Sequence, residues 1–82
     1  MNLVELTEYL VKSLVTDKDA VSVKEFAGDE GIDVEVIVSA DDMASVIGKG
    51  GSTANAIRTL VQAAAYTKKL PRVRINIDSK EA

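Results

Sequence analysis

The chain has 82 residues, 46% of them hydrophobic, which suits one compact domain with a real core and is too short for two. It contains no Cys and no His, so a disulfide or cysteine-based metal framework, the usual neutral-pH general base and the commonest nitrogen metal ligand are all missing. The formal net charge of −3, taken alone, argues against a nucleic-acid partner.

From Asn2 to Val15, Leu3, Leu6, Leu10 and Leu14, with Val4, Val11 and Val15 beside them, follow the spacing of an amphipathic helix. Polar Thr16-Asp17-Lys18-Asp19 breaks it. From Ala20 to Phe26 the pattern alternates, with Val21 and Val23 on one face and Ser22 and Lys24 on the other. From Ile32 to Val38 it alternates again, with Ile32, Val34, Val36 and Val38 inward and Asp33 and Glu35 outward, as in a half-buried strand. The Gly-bounded turn Gly28-Asp29-Glu30-Gly31 joins the two as a hairpin. One register sets Lys24 opposite Glu35 and Val23 opposite Val36. Phe26 and Ile37 then fall on the outward parity, which calls for either a bulge or a contact surface. Asp41-Asp42 is suited to cap a short helix running through Ile47. A glycine loop follows, and Ser52 opens a longer helix whose apolar face is Ala54, Ile57, Leu60, Val61, Ala64 and Ala65. Lys68 and Lys69 sit in its last turn and Pro71 stops it. A third strand spans Arg72 to Asp78, with Val73, Ile75 and Ile77 alternating against Arg72, Arg74 and Asn76.

The order helix, strand, strand, helix, helix, strand predicts an α+β domain over residues 1–82, three helices covering one face of a three-stranded sheet, with a frayed tail over residues 78–82. The first five residues already include Glu5, unlike a signal peptide, and no apolar run is long enough to span a bilayer, so the expected location is cytoplasmic.

Charge is unevenly spread. Residues 1–42 hold eleven acids and three bases; residues 43–74 hold six bases (Lys49, Arg58, Lys68, Lys69, Arg72 and Arg74) and no acid. Chance segregation in a short chain is one reading. The other is a local positive surface, which is what a phosphate backbone senses.

Gly48-Lys49-Gly50-Gly51 joins the two later helices. Glycine permits positive φ and, lacking Cβ, lets a ligand backbone come close. The loop leads into the N-terminus of the Ser52 helix, where free N–H groups and the dipole favour phosphate, and Lys49 adds a point charge. A GxxG by itself is weak. Its setting here is not: Val46-Ile47 precedes it, Ala54 and Ile57 follow at helical spacing, and strands lie on both sides of the helix pair.

The stretch from Val46 to Ile57 resembles the signature of KH domains, V-I-G-x-x-G followed by apolar positions three and six residues past the second signature glycine. The extra helix and strand on the N-terminal side match the prokaryotic (type II) KH layout, so the resemblance covers almost the whole chain. Asp41 to Ala65, including Ala56-Ile57-Arg58-Thr59 and Ala63-Ala64-Ala65, is similar to the small stand-alone bacterial KH proteins of the KhpA (YlqC) family. That resemblance implies single-stranded RNA binding in the cytoplasm, an RNA chaperone or post-transcriptional regulator, self-association as a homodimer, and a larger KH-containing partner of the Jag family. It also implies a groove for about four nucleotides, with the GxxG loop on the backbone side. The groove would be walled by the helix ending at Ile47, the helix opening at Ser52 and the Ile32–Val38 strand. Its floor would be Ile47 and Ala54, its backbone grip Gly48, Lys49, Gly50, Gly51 and Ser52, and its polar contacts Asn55 and Arg58. Arg58 reads equally well as a solvated surface arginine. Lys68, Lys69, Arg72 and Arg74 read as general field or partner contacts rather than groove residues. The family loop often reads G-K-Q-G followed by Arg. Gly50 and Ser52 depart from it, and Ala54 is smaller than the usual Ile, which lowers the RNA affinity expected of this chain or makes it depend more on a partner.

Two rival functions have some support in the sequence. A protein-interaction module is supported by the net acidity and the Ala63-Ala64-Ala65 run, although Ala is also simply the best helix former. A nucleotide enzyme is disfavoured, because the phosphate loop needs Lys and Ser/Thr after the last glycine, whereas Lys49 precedes Gly50 and Gly51. No enzymatic activity and no cofactor are expected. With no Trp, one Phe and two Tyr, an aromatic stacking platform is not expected either.

Overall fold

In the computed structural model, which describes residues 1–80, the chain begins with a reciprocal helix cap. Asn2 Oδ1 accepts from the Glu5 amide at 2.8 Å, and the Asn2 amide donates to Glu5 Oε1 at 3.1 Å. This starts α1 (Leu3–Lys12). Its buried line is Leu3, Thr7 and Val11, with Leu6 and Leu10 half-buried alongside. A threonine is tolerated there because its hydroxyl donates to the Leu3 carbonyl at 2.7 Å. The helix stops short of the Val15 expected from periodicity, so Leu14 leaves the apolar face and is exposed while Val15 packs into the core.

β1 (Ser22–Gly28) and β2 (Gly31–Ser39) form the hairpin, in the register that sets Val23 beside Val36 and Lys24 beside Glu35. Pairing is unbroken from Ser22–Ile37 to Gly28–Gly31, so no bulge turns Phe26 inward. Phe26 is 52% exposed. Two helices, α2 (Met43–Ile47) and α3 (Ser52–Thr67), then carry the chain back across the sheet, and β3 (Val73–Lys80) lies parallel to β2. β3 continues through Lys80, into the segment expected to fray; residues 81–82 lie outside the described ones. The strand order is β1-β2-β3, which makes β2 central. Its Val34, Val36 and Val38 are fully buried against Val11, Val46, Val61 and Ile75, and this layer is the core.

α3 ends in a reversal built on Lys69, not on Pro71. Lys69 is left-handed (φ 57°); its amide donates to the Tyr66 carbonyl at 3.0 Å, and the Leu70 amide reaches the Ala65 carbonyl at 2.9 Å. The helical carbonyls are thereby satisfied, and the chain turns straight into β3.

Asp42 does something other than cap α2. No side-chain cap bond forms there. Its buried carboxylate instead accepts from the Thr16 and Asp17 amides (both 3.1 Å), the Thr16 hydroxyl (2.9 Å) and the Ser39 hydroxyl (3.0 Å). One side chain thus ties the segment after α1 to the turn between β2 and α2. The Thr16 and then the Asp17 amide hold the carboxyl down from 3.8 to about 2; burial opposes them, and the two hydroxyls assist. A lowered folded-state pKa contributes stability that is complete above the unfolded value and is lost as pH falls through the folded one. Asp42→Asn should therefore melt lower than the native chain at neutral pH, and the gap should narrow as pH falls from 3.8 to about 2, measured by thermal unfolding across that range.

Candidate nucleic-acid interface

α2 ends at Gly48, whose amide donates to the Ala44 carbonyl at 2.9 Å. Gly48 takes φ 77° and ψ 173°, and a Cβ there would lie 2.3 Å from Thr53 Oγ1, 2.7 Å from Thr53 Cβ and 2.8 Å from the Thr53 amide. The position thus requires glycine twice over, for its dihedrals and for the space. Lys49–Gly51 form a 3-10 turn, closed by the Gly51 amide on the Gly48 carbonyl at 3.2 Å, with Gly50 and Gly51 also at positive φ. Nothing lies within 4 Å of where their Cβ atoms would be. The loop therefore presents bare backbone to solvent, and no side chain caps the N-terminus of α3 behind it. Lys49 stands exposed at the tip and, among the described residues, makes no ion pair. These are the elements of an anion cradle: a tight turn, a helix N-terminus and one cation.

The remaining expected residues divide. Ile47 is half-buried at the end of α2 and Ser52 is exposed at the first turn of α3. Ala54 is buried, so it belongs to the core and not to a groove floor. Asn55 and Arg58 work as a pair: Arg58 Nη1 donates to Asn55 Oδ1 at 3.0 Å, and Arg58 Nε leans on the Ile75 carbonyl at 3.4 Å. Arg58 is half-buried, a positioned donor beside β3 rather than a freely solvated arginine.

That contact corrects the expected groove wall. β2 is paired on both sides and offers no edge. The strand flanking α3 is β3, whose free edge meets Arg58 at Ile75 and Gln62 at Val73, where Gln62 Nε2 donates at 3.3 Å. Two strand residues for four helical ones is the spacing of an antiparallel helix on a strand, and it continues to set Asn55 near Ile77. α3 and the free edge of β3 therefore run side by side from the loop onward. Alternation revealed the strands but not their lateral order, which is why Gln62 and the β3 edge were missed; the βαα-crossover, which favours placing the last strand parallel to the one before it, was the available signal.

The acid-free basic stretch does not form one surface. Arg74 projects from the helix-free face of the sheet, paired with Asp33 at 3.4 Å. Lys49 marks one end of α3, and Lys68, Lys69 and Arg72 mark the other. A cleft of about 760 Å³ beside the hairpin turn includes Asp29, Glu30 and Asp33 in its lining and none of the loop residues. Arg72 and Arg74 also line it, but the three carboxylates outnumber them and make it a poor seat for a phosphate backbone.

Residues 4–77 match the family model described as the KH domain of KhpA/KhpB. The chain belongs to the KhpA/KhpB KH-domain family. Among relatives in this family, it is 49% identical over 65 residues to the RNA-binding protein KhpA of Caldanaerobacter subterraneus subsp. tengcongensis, covering 79% of this chain and 87% of that one. To the RNA-binding protein KhpA of Clostridium perfringens it is 52% identical over 61 residues, 74% of this chain and 81% of the relative. In fold, the KhpA/KhpB-type domain is similar to part of Era solved in complex with MgGDPNP and nucleotides 1506–1542 of 16S ribosomal RNA, with a TM-score of 0.70 and 18% identity. The match to Aquifex aeolicus Era bound to GDP.AlF4- has a TM-score of 0.69. In both cases 95% of this chain corresponds to 30% of the Era chain, a likeness of fold.

The loop geometry separates its glycines. Gly50→Ala meets open space and bears only the left-handed penalty, about 1 kcal/mol. Gly48→Ala adds a collision with Thr53 and should cost about 3 kcal/mol. Chemical denaturation of the two variants should rank them in that order; equal costs would contradict the account of the Gly48 corner.

Proposed function

We propose that this chain binds single-stranded RNA, gripping the sugar-phosphate backbone at Gly48–Gly51 and the N-terminus of α3, with bases lying along Asn55, Arg58 and the β3 edge. The observation that carries this reading is the uncapped helix N-terminus behind a turn with three glycines at positive φ and a lone exposed Lys49. The KhpA relatives, named as RNA-binding proteins, support it. With one loop cation, and with Gly50 and Ser52 where relatives often carry a polar and a basic residue, the grip relies on backbone amides and dipole more than on side-chain charge.

The chain acts in the cytoplasm as an RNA chaperone or post-transcriptional regulator, as a homodimer or with a larger Jag-family KH protein. Self-association is supported by Leu60, expected in the core but 53% exposed on α3, with Ala56 and Ala63 exposed a turn to either side. A dimer would raise RNA avidity without any new contact. No enzymatic step is assigned to the domain.

The test compares the native chain with the double variant Lys49→Asp, Gly50→Asp on a pool of short single-stranded RNA at two salt concentrations. Asp has room at residue 50 and tolerates positive φ, so the fold should persist by circular dichroism. Native binding should weaken with salt and drop at least about tenfold in the variant. Equal binding by both proteins would overturn the loop assignment. Light scattering after size exclusion should give twice the chain mass; a strict monomer at high concentration would remove the homodimer.

A further inference from the structure

Asn55, Arg58, Gln62 and Tyr66 follow at three- and four-residue steps, so they form one row along α3. Arg58 and Gln62 fix where that row lies, since each donates to a β3 edge carbonyl. Tyr66 is the next residue along the same groove, about 21 Å of helix beyond Ser52. It is 85% exposed, the most exposed of the large hydrophobic residues among those described. The left-handed Lys69 folds the chain back so that Leu70, Pro71 and Arg72 come up beside it, enclosing a cleft of about 430 Å³ that also takes in Gln62 and Val73. Lys68 and Lys69 stand at the same end, and no acid occurs between Met43 and Ile77. The cleft thus joins an aromatic ring, an apolar wall from Leu70 and Pro71, and three nearby cations, at the far end of a groove that starts at the phosphate-binding loop.

We propose that this cleft is a second nucleotide subsite: a base of the same RNA strand stacks on Tyr66 against Leu70 and Pro71, while Arg72 neutralises a flanking phosphate. The proposal rests on the RNA-binding reading of the loop and extends it. An aromatic ring beside a cation is a combination by which proteins hold single strands without reading sequence. The occupant is RNA rather than a protein segment because the cleft is continuous with the loop groove and its charge is of one sign. Arg72 lines the cleft, a place that sequence order alone did not give it. Arg74, by contrast, faces the other side of the sheet and is neutralised by Asp33.

The subsite is reached only by RNA longer than the loop itself holds, which supplies the test. Binding of an RNA of about four nucleotides and one of about ten is measured for the native chain, for Tyr66→Ala, for Tyr66→Phe and for Arg72→Ala. Tyr66→Ala should weaken the longer RNA about tenfold and leave the shorter within about twofold; Tyr66→Phe should bind both as the native chain does. Arg72→Ala should also lose affinity for the longer RNA alone, with a shallower dependence on salt. Tyr66→Ala binding both lengths like the native chain, or weakening both equally, would overturn the subsite. The Lys49→Asp, Gly50→Asp variant serves as the control for the underlying reading. Loss of both lengths there supports it, whereas retention of both would overturn the loop assignment itself, whatever Tyr66 does.

Discussion

Thr53 occupies the space that a side chain on residue 48 would need, and much of the proposed interface follows from that contact. Because a side chain at residue 48 would collide with Thr53, α2 stops at Ile47 and α3 begins within a few residues, at Ser52. The intervening turn has no room to relax into helix, so Gly50 and Gly51 are pushed outward with their backbone bare. The same corner fixes the direction in which α3 leaves, and hence which residues of α3 run beside β3. The proposed phosphate grip at the loop and the course of α3 beyond it share one steric cause.

Two further features hold that corner against the sheet. The central valines of β2 supply the apolar layer on which α1, α2 and α3 all rest, and they are fully buried. Asp42 joins the end of β2 to the segment after α1 through four accepted hydrogen bonds, just before α2 begins. Burial without direction would leave α2 free to slide on its valines. The Asp42 bonds, being directional, fix where α2 starts, and so where Gly48 falls. Likewise Arg58 and Gln62 cover two carbonyls of the β3 edge, which both protects an edge strand and orients donors into the groove.

Sequence periodicity went far with the fold. The hairpin register was legible because Gly28 and Gly31 bound the turn and the alternation of Ile32 to Val38 admits one buried face. Helix ends and far partners were not. Leu14 fits the helical spacing, yet the chain leaves the helix at Ser13 because Thr16 and Asp17 are needed by Asp42, 26 and 25 residues on. Asp42 looked like a cap because nothing local reveals such partners. Leu60 fits the apolar pattern of α3, but the line that is buried, Ala54, Ile57, Val61 and Ala65, is narrower than the pattern. At the site, the loop was visible from its glycines and their flanks, whereas the wall of the groove was not, since lateral strand order is a property of topology. The basic stretch misled in a related way: consecutive residues on a helix and a strand point in different directions, so six nearby cations became four separate places.

The most direct measurement of the central claim is the shift of backbone amide NMR signals as single-stranded RNA is titrated into the native chain. The account predicts that Gly48 to Ser52, Asn55 and Arg58 move first and furthest, with the α3 row following, while Lys24, Glu35 and Arg74 on the helix-free face of the sheet stay still. Shifts concentrated on that helix-free face, with the Gly48–Gly51 loop unmoved, would contradict it.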